Sequence, residues 1–479
     1  MVETQDLERH LWRAAELLRG SIDSGEYKHY IFGLFFFKRL CDLWDEELEL
    51  EEKHRFKIPT KAHFSAILKR KKGIGAALTK ALREIEKANT ALDKVFFEID
   101  FSNSERFSDA LMKQLLEHWS KMRFRQRDLS SSAFGDAYEY LIKHFADDGG
   151  QKGGEFYTPR TVVQLLIQVL DPDPQMSVYD PTCGSGGMLL AAAAHMIAKG
   201  GEPEKLNIFG QEKNLNTWGI CRTSMLLQGL NAEIQRGDTL SEPCFLRGKN
   251  KLRRFDCVIA NPPFSMRNWG YSSWLKGDPY GRSELGVPPK SYGDMAFLMH
   301  MICSLKDTGR MGVVLPNGVL FRSGREAAIR KQIIQNDWID TVVALGSNLF
   351  YGAAIPATIL FLNKKKPKER KAEVLMINAE LEQVERPQQS FLSADNIKKI
   401  MEVIDQRLSV PQFSRRVSLK EIEDHDYNLS MNRYVRTTPP EPMIDINSVY
   451  QQLRELQEKE RQLISDLDLL MKEIGGDSL

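Results

Sequence analysis

Seven short apolar runs between residues 176 and 363 constrain the fold of this chain more than any other feature of its sequence. Helical segments lie between them, such as the alanine-rich stretch at 188–199. Alternation of this kind is typical of a mostly parallel sheet with helices on both faces. The pattern therefore predicts an α/β domain. The predicted strands are 176–180, 206–212, 232–238, 255–261, 311–316, 339–345 and 358–363.

The first 145 residues have the periodicity of helices instead. Apolar residues recur there at intervals of three or four, which places them on one helical face. The clearest set is Leu7, Leu11, Ala15, Leu18 and Ile22, and similar spacing recurs at 111–118 and 134–141. A glycine cluster at 147–156 then marks a predicted boundary. We therefore expect a helical N-terminal domain (1–145), a sheet domain (146–378) and a C-terminal region (379–479).

The C-terminal region ends in a regular helical pattern at 449–474. Apolar residues alternate there in steps of four and three, the spacing of a heptad seam, and only Glu460 interrupts them. Two interpretations stay open. The seam packs on this chain's own helical domain, or it packs on a helix of a partner.

Acidic residues stand at the ends of the first three predicted strands of the sheet domain. Asp180 precedes a turn with three glycines, Glu212 ends the second strand, and Asp238 ends the third. A glycine turn between a strand and a helix lets backbone approach a ligand, and a carboxylate at the next strand end can accept ribose hydroxyls. Each acid alone is typical of a surface or a cap. Together they favour a nucleotide-like ligand at one crevice.

The fourth predicted strand runs directly into Asn261-Pro262-Pro263-Phe264. Two consecutive prolines donate no backbone hydrogen bonds, so they end the strand and stiffen the loop. Asn-Pro also marks ordinary turns. At this position in a nucleoside-binding sheet, we interpret the loop as catalytic.

The composition excludes several other classes of protein. The net charge is +1, from 66 Lys+Arg against 65 Asp+Glu, so affinity for nucleic acid cannot come from bulk charge. The six cysteines form no CxxC pair, which indicates neither a disulfide scaffold nor a structural zinc site. The N-terminus lacks a signal-peptide core, and the seven-residue apolar run at 31–37 is too short to span a membrane. We expect a soluble, reduced, cytoplasmic protein.

The motifs in this order resemble those of S-adenosylmethionine-dependent amino-methyltransferases. More narrowly, the chain is similar to the modification subunits of type I restriction–modification enzymes. The segments that carry the resemblance are YKHYIFGLFFFKRLCD, AFGDAYEYLIKHFA, EFYTPR, PTCGSGG, NPPF, SYGDMAFLMH and GRMGVVLPNGVLF. The resemblance implies a Rossmann-like methyltransferase sheet with an α-helical N-terminal domain and a helical C-terminal tail.

The resemblance also implies roles for individual residues, with S-adenosylmethionine as the cofactor. The segment that closes over the methionine part of the cofactor matches Glu155, Phe156, Tyr157, Thr158, Pro159 and Arg160. The strand end and the turn beside it match Asp180, Gly184, Ser185, Gly186 and Gly187. Glu212 matches the ribose-binding acid, and Asp238 an acid near the cofactor's adenine. The catalytic loop matches Asn261, Pro262, Pro263 and Phe264.

The chemistry of an exocyclic adenine amine suits that loop. The amine is a poor nucleophile because its lone pair is delocalised into the ring. The side-chain oxygen of Asn261 and the carbonyl oxygen of Pro262 can accept hydrogen bonds from the two N–H groups of the amine. These bonds direct the lone pair of the nitrogen at the methyl group. Phe264 can stack on a base flipped out of the duplex. Cytosine N4 enzymes of this kind usually begin the motif with serine, so Asn261 favours adenine.

The expected function is therefore methylation of adenine N6 in DNA as the modification subunit of a type I complex. The implied partners are double-stranded DNA with a flipped adenine, a specificity subunit, a second copy of this chain and a restriction subunit. No GxxxxGK[ST] motif is present, so ATP-driven translocation is not expected of this chain. The alternatives are a free-standing adenine methyltransferase that recognises DNA through 380–440, a protein-glutamine methyltransferase, and an assembly protein with an inactive site.

Overall fold

The computed structural model describes residues 4–22, 24–97, 99–128, 158–350, 356–386, 389–436, 445–473 and 475. The chain divides into two compact units, Met1–Arg436 and Thr437–Leu479.

The first unit begins with a helical layer, and the core of this layer also includes Ile220 and Leu227 from the sheet region. Its helices are α1 (Thr4–Leu18), α2 (Ser24–Glu49), α3 (Phe64–Leu68), α4 (Ile74–Ala88) and α5 (Asp109–Ser120). The predicted apolar face of α1 is confirmed, because Leu7, Leu11, Ala15 and Leu18 are buried. Phe35, Phe36 and Phe37 of α2 are also buried, with Trp119 of α5 in the same core. The pattern at 134–141 and the glycine cluster at 147–156 lie outside the described residues.

A single sheet organises the rest of this unit. Its strands are β1 (Ser177–Asp180), β2 (Asn207–Glu212), β3 (Glu233–Arg236), β4 (Phe255–Ala260), β5 (Leu305–Pro316), β6 (Ile339–Leu345), β7 (Ala357–Asn363), β8 (Glu373–Ala379) and β9 (Ser414–Ser418). Their order in space is β3-β2-β1-β4-β5-β7-β6-β8-β9. The strands from β3 to β5 are parallel neighbours, β7 is antiparallel to both β5 and β6, and β9 is antiparallel to β8. The predicted mostly parallel α/β sheet is confirmed.

Helices cover both faces of the sheet. They are α6 (Arg160–Leu170), α7 (Gly187–Ala198), α8 (Leu215–Leu227), α9 (Tyr271–Leu275), α10 (Asp294–Cys303), α11 (Arg325–Gln335), α12 (Ala394–Gln406) and α13 (Leu419–Asp424). Successive strand residues point to opposite faces, so Val178 packs in the core with α6, α7 and α12, while Tyr179 packs in the core with α10 and α11. Burial on both faces explains why the central strands are mostly apolar.

Three features of the sheet differ from the sequence pattern. Strand β5 begins at Leu305 rather than at residue 311. The sequence pattern missed its first residues because they form a polar stretch at 306–309, where the pairing with β4 is irregular. Strands β8 and β9 were not predicted. Strand β9 is short and polar, and its Arg415 and Arg416 are exposed at the edge of the sheet, so it lacks the apolar signature of a central strand.

The second unit contains one described element, helix α14 (Ile446–Glu473). The predicted helix therefore forms, although its last seam residue, Ile474, lies outside the described residues. Its seam leucines are exposed, from 43% at Leu467 to 69% at Leu463. Nowhere in the described ranges is there a helix both long enough and apolar enough to cross a membrane.

Candidate active site

A cavity of about 520 Å³ opens at the carboxyl ends of β1 to β4. This is the edge where a doubly wound sheet offers a crevice for ligands. The predicted site residues that line the cavity are Thr158, Asp180, Gly184, Ser185, Gly187, Glu212, Asp238, Asn261 and Pro263. The sheet thus brings together residues separated by a hundred positions in the sequence.

Other predicted residues lie beside the cavity or outside the described chain. Pro159 caps the start of α6, and Arg160 lines a neighbouring apolar pocket between α6 and α7. Gly186, Pro262 and Phe264 flank lining residues without being lining residues themselves. Glu155, Phe156 and Tyr157 lie outside the described residues.

The turn between β1 and α7 depends on glycine. Gly186 has a φ of +90° at the residue that caps the helix, in the left-handed region. A Cβ at this position would lie 2.7 Å from Cys221 Sγ and 2.9 Å from Met225 Cε of α8. Glycine therefore lets the turn pack closely on α8 and leaves its backbone next to the cavity.

Glu212 is buried at the end of β2 and is held by the backbone. Its Oε2 accepts a hydrogen bond from the Gly184 N–H at 3.0 Å, and its Oε1 accepts one from the Asn214 N–H at 2.7 Å. Burial raises the pKa of Glu212 above its ordinary value, although these hydrogen bonds oppose the change. Each oxygen retains a lone pair for a further donor, so the carboxylate can still accept ligand hydroxyls.

Asp180 is the most strongly perturbed carboxyl group of the cavity. It is 2% exposed, and its Oδ1 accepts a hydrogen bond from the Thr182 N–H at 2.9 Å. Burial, together with the nearby carboxyl of Glu212, raises the pKa of Asp180 to about 8. Two acids at neighbouring strand ends thus favour a cationic ligand, which would stabilise their ionised forms.

Asp238 already has partners for both oxygens. Its Oδ2 accepts a hydrogen bond from Lys213 Nζ at 2.8 Å, and its Oδ1 accepts from the Leu240 and Ser241 N–H groups. Burial opposes ionisation, but the bond and charge of Lys213, together with the two backbone N–H groups, outweigh it and lower the pKa of Asp238. Asp238 therefore caps the turn after β3 while its side chain lines the cavity.

Asn261 has one satisfied and one unsatisfied side-chain group. Its Nδ2 donates to Thr158 Oγ1 at 3.0 Å, which fixes the amide next to the start of α6. Its Oδ1 is buried and has no hydrogen-bond partner among the described residues. A buried acceptor left unpaired is unfavourable by about 1–3 kcal/mol. Because Asn261 lines the cavity, this unpaired oxygen is a candidate acceptor for a donor on a ligand.

Phe264 lies at the end of the same loop. Its ring meets that of Phe350 edge to face, with centroids 5.9 Å apart, and its side chain is only partly buried. The next residue, Ser265, has a φ of +54°. The loop therefore reverses direction immediately after the phenylalanine.

Sequence reasoning missed several residues of this site. Lys213, Met266 and Phe297 line the cavity, and Asp294 accepts a hydrogen bond from the backbone directly after the loop at 261–264. Lys213 directly follows Glu212, so its proximity was predictable. The motif SYGDMAFLMH contained Asp294 and Phe297, but no pattern in the sequence indicated what they contact.

Comparisons with known proteins cover most of the chain. A family model described as N-6 DNA Methylase matches residues 129–442, and a model of the HsdM N-terminal domain matches residues 7–118. The methylase subunit of the type I restriction enzyme MjaVII from Methanocaldococcus jannaschii is 33% identical over 409 residues, which cover 81% of this chain and 68% of the relative.

Two further similarities cover more of both chains. The methylase subunit of the type I restriction enzyme MpnII from Mycoplasma pneumoniae is 28% identical, over 98% of this chain and 96% of its own length. A crystal structure of a type I restriction-modification system methyltransferase subunit from Streptococcus thermophilus aligns with a TM-score of 0.80 at 30% identity. That alignment covers 91% of this chain and all of the other.

Proposed function

This chain belongs to the N-6 DNA methylase family and, within it, to the methylase subunits of type I restriction enzymes, and we propose that its strand-end cavity is where the cofactor and the target adenine meet. The reaction is transfer of a methyl group to adenine N6 in DNA. The observation that carries the proposal is that Asn261, which lines the cavity, has a buried Oδ1 with no hydrogen-bond partner among the described residues.

The cavity residues fit S-adenosylmethionine. The cavity volume lies in the usual range for small-molecule sites. We assign the ribose hydroxyls to Glu212, the methionine part to the glycine turn and the Thr158 segment, and the adenine ring to the region of Asp238. When bound, S-adenosylmethionine supplies an activated methyl group on a sulfonium sulfur.

The catalytic loop would hold the amine that receives the methyl group. Asn261 Oδ1 and the Pro262 carbonyl oxygen accept hydrogen bonds from the two N–H groups of the amine. This favours a more tetrahedral nitrogen with its lone pair directed at the methyl group. Phe264 stacks on the flipped base. Since the Asn261 amide is anchored on Thr158, it needs little reorganisation when the base arrives. We propose that the chain works in the cytoplasm.

The raised pKa of Asp180 predicts a proton linkage to cofactor binding. At pH 7 a carboxyl group with a pKa of about 8 is mostly protonated, and a bound cation lowers that pKa. We expect S-adenosylmethionine binding to release about one proton per site at pH 7, and affinity to increase as pH rises toward 8. Calorimetry in buffers of different ionisation enthalpy measures this release. Asp180→Asn should abolish it, and a wild-type binding enthalpy independent of the buffer would contradict the prediction.

The relatives are named as subunits, so we propose that this chain also works in a complex. The expected partners are double-stranded DNA, a specificity subunit that selects the sequence, a second copy of this chain, and a restriction subunit in the full enzyme. Similarity over nearly the full length of such subunits favours this interpretation over a free-standing adenine methyltransferase or a protein-glutamine methyltransferase.

The exposed seam of α14 is our candidate for the contact with the specificity subunit. Heptad seams of this kind bind partner helices. Truncation after residue 442 should leave melting temperature and cofactor affinity unchanged, while co-purification with the specificity subunit and DNA methylation are lost together. Packing on this chain's own helical domain predicts instead that the truncated chain loses thermal stability.

A pair of point variants makes the same test with the helix intact. Leu456→Ser with Leu463→Ser removes two seam residues, and Glu455→Ser with Gln462→Ser is the control on the adjacent polar positions. Only the first pair should weaken assembly. Normal assembly and methylation by the leucine variant would rule out the partner-helix assignment.

A further inference from the structure

The chain that leaves the catalytic loop is held by the start of helix α10. The Ser265 N–H donates to Asp294 Oδ1 at 2.7 Å, and the Gly293 N–H donates to the Met266 carbonyl at 2.9 Å. Ser265 has a φ of +54°, a conformation that residues other than glycine rarely adopt. Such a conformation persists only where surrounding contacts hold it. The Asp294 carboxylate supplies such a contact directly after Phe264.

Asp294 is fully enclosed, and its charge is balanced by one arginine. The side chain is 1% exposed, and its Oδ2 accepts a hydrogen bond from Arg322 Nη1 at 3.0 Å. Arg322 also reaches Glu326 Oε1 at 3.4 Å and lies over the ring of Tyr292, 4.2 Å from its centroid. Because an uncompensated buried carboxylate is strongly unfavourable, the guanidinium group of Arg322 offsets the cost of enclosing Asp294.

The position of Arg322 depends in turn on a glycine in a second motif. Gly318 lies in the short helical turn after β5, the strand that pairs with β4. A Cβ on Gly318 would lie 2.4–2.5 Å from the guanidinium atoms of Arg322. The segments SYGDMAFLMH and GRMGVVLPNGVLF, with the arginine that follows the second, thus meet at the exit of the catalytic loop.

We propose that Asp294 and Arg322 are positioning residues that fix the exit of the catalytic loop, and through it Phe264 and Asn261, for the target adenine. The proposal rests on the function assigned above to that loop. Neither side chain lines the cofactor cavity. Met266 does line the cavity. The backbone hydrogen bond from Gly293 to Met266 depends on neither the Asp294 nor the Arg322 side chain. Loss of the pair should therefore affect methyl transfer and base placement much more than cofactor binding.

The test uses the chain assembled with its specificity subunit. Arg322→Gln removes the charge, Arg322→Lys keeps it, and Asp294→Asn keeps an acceptor for Ser265 without the charge. Lys331→Gln, an exposed site on α11, is the matched control. The readouts are single-turnover methylation at saturating DNA and cofactor, cofactor affinity by calorimetry, melting temperature, and fluorescence of 2-aminopurine at the target position.

We expect Arg322→Gln and Asp294→Asn each to slow methyl transfer about tenfold and to reduce the 2-aminopurine signal, with cofactor affinity within about twofold. Arg322→Lys should recover most of the rate. The double variant should be no slower than the worse single variant, because the two residues act as one unit.

Three outcomes would overturn the proposal. The first is normal methylation by Arg322→Gln. The second is a fall in cofactor affinity as large as the fall in methylation rate in that variant, together with a lower melting temperature. The third is a methylation rate that does not recover with Arg322→Lys. If Asp294→Asn fails to fold, the two Arg322 variants still decide. Asn261→Ala in the same assay separates a failure of the positioning role from a failure of the assigned loop function. A full rate there refutes the assigned loop function, whereas a slow Asn261→Ala beside a normal Arg322→Gln refutes only the positioning role.

Discussion

Replacing Asn261 with alanine is expected to slow methyl transfer about 100-fold while cofactor affinity stays within about twofold. The Oδ1 atom is a buried acceptor without a partner among the described residues, so its contribution appears only when the adenine amine enters the site. Loss of one fixed hydrogen-bonding group at a reacting centre typically removes about 3 kcal/mol of transition-state stabilisation. Single-turnover methylation by the assembled complex measures the rate, and calorimetry measures cofactor affinity.

The matched control for this variant is Asn231→Ala, because Asn231 is exposed between α8 and β3 and does not line the cavity. It should methylate at the wild-type rate. A turnover near normal in Asn261→Ala would remove this loop from the catalytic assignment. A rate and a cofactor affinity that fall by the same factor would place Asn261 among the cofactor-binding residues instead.

Replacing Glu212 with alanine is expected to weaken S-adenosylmethionine binding about 100-fold and to leave the rate at saturating cofactor within a few-fold of normal. Hydrogen bonds to a charged group contribute about 1.5–3 kcal/mol each, and the ribose has two hydroxyls for this carboxylate. The contacts are made equally before and during methyl transfer, so they contribute uniform binding. The variant also releases the Gly184 N–H, which loosens the turn beside the cofactor.

Calorimetric titration with S-adenosylmethionine tests the Glu212 assignment. Glu202→Ala, an exposed acid that precedes β2 and lies outside the cavity, is the control. Unchanged affinity in Glu212→Ala would exclude Glu212 from the site. A lost rate with unchanged affinity would assign it to the chemical step.

The strand ends were predictable because local and long-range constraints agree there. Parallel strands place their carboxyl ends at one edge, so Asp180, Glu212, Asp238 and Asn261 had to lie close together once the alternation was recognised. Short apolar runs, interrupted by polar residues such as Asp256 and Asp340, marked the buried strands β1, β4, β6 and β7. The turn before a helix was also predictable from its glycine, because few other residues adopt a backbone conformation with a positive φ.

The rest depends on contacts that leave no periodicity. The edge strand β9 has too few apolar residues to be distinguished from a loop, and β5 is interrupted where its pairing with β4 becomes irregular. The bond from Ser265 to Asp294 joins positions 29 apart through one side-chain oxygen. Such a contact follows from the three-dimensional path of the chain, not from any spacing in the sequence. The partner of the α14 seam is likewise not encoded in the seam itself.

Identifying the methylated base tests the assigned function, methylation of adenine N6 in DNA, more directly than any other measurement. The chain assembled with its specificity subunit is incubated with S-adenosylmethionine carrying a tritiated methyl group and with unmodified genomic DNA from a strain that lacks the system. The DNA is digested to nucleosides, which are then separated, with the Asn261→Ala complex run in parallel. We expect label in N6-methyldeoxyadenosine, strongly reduced in Asn261→Ala. Label in N4-methyldeoxycytidine or in protein, or equal label with both complexes, would contradict the assigned function.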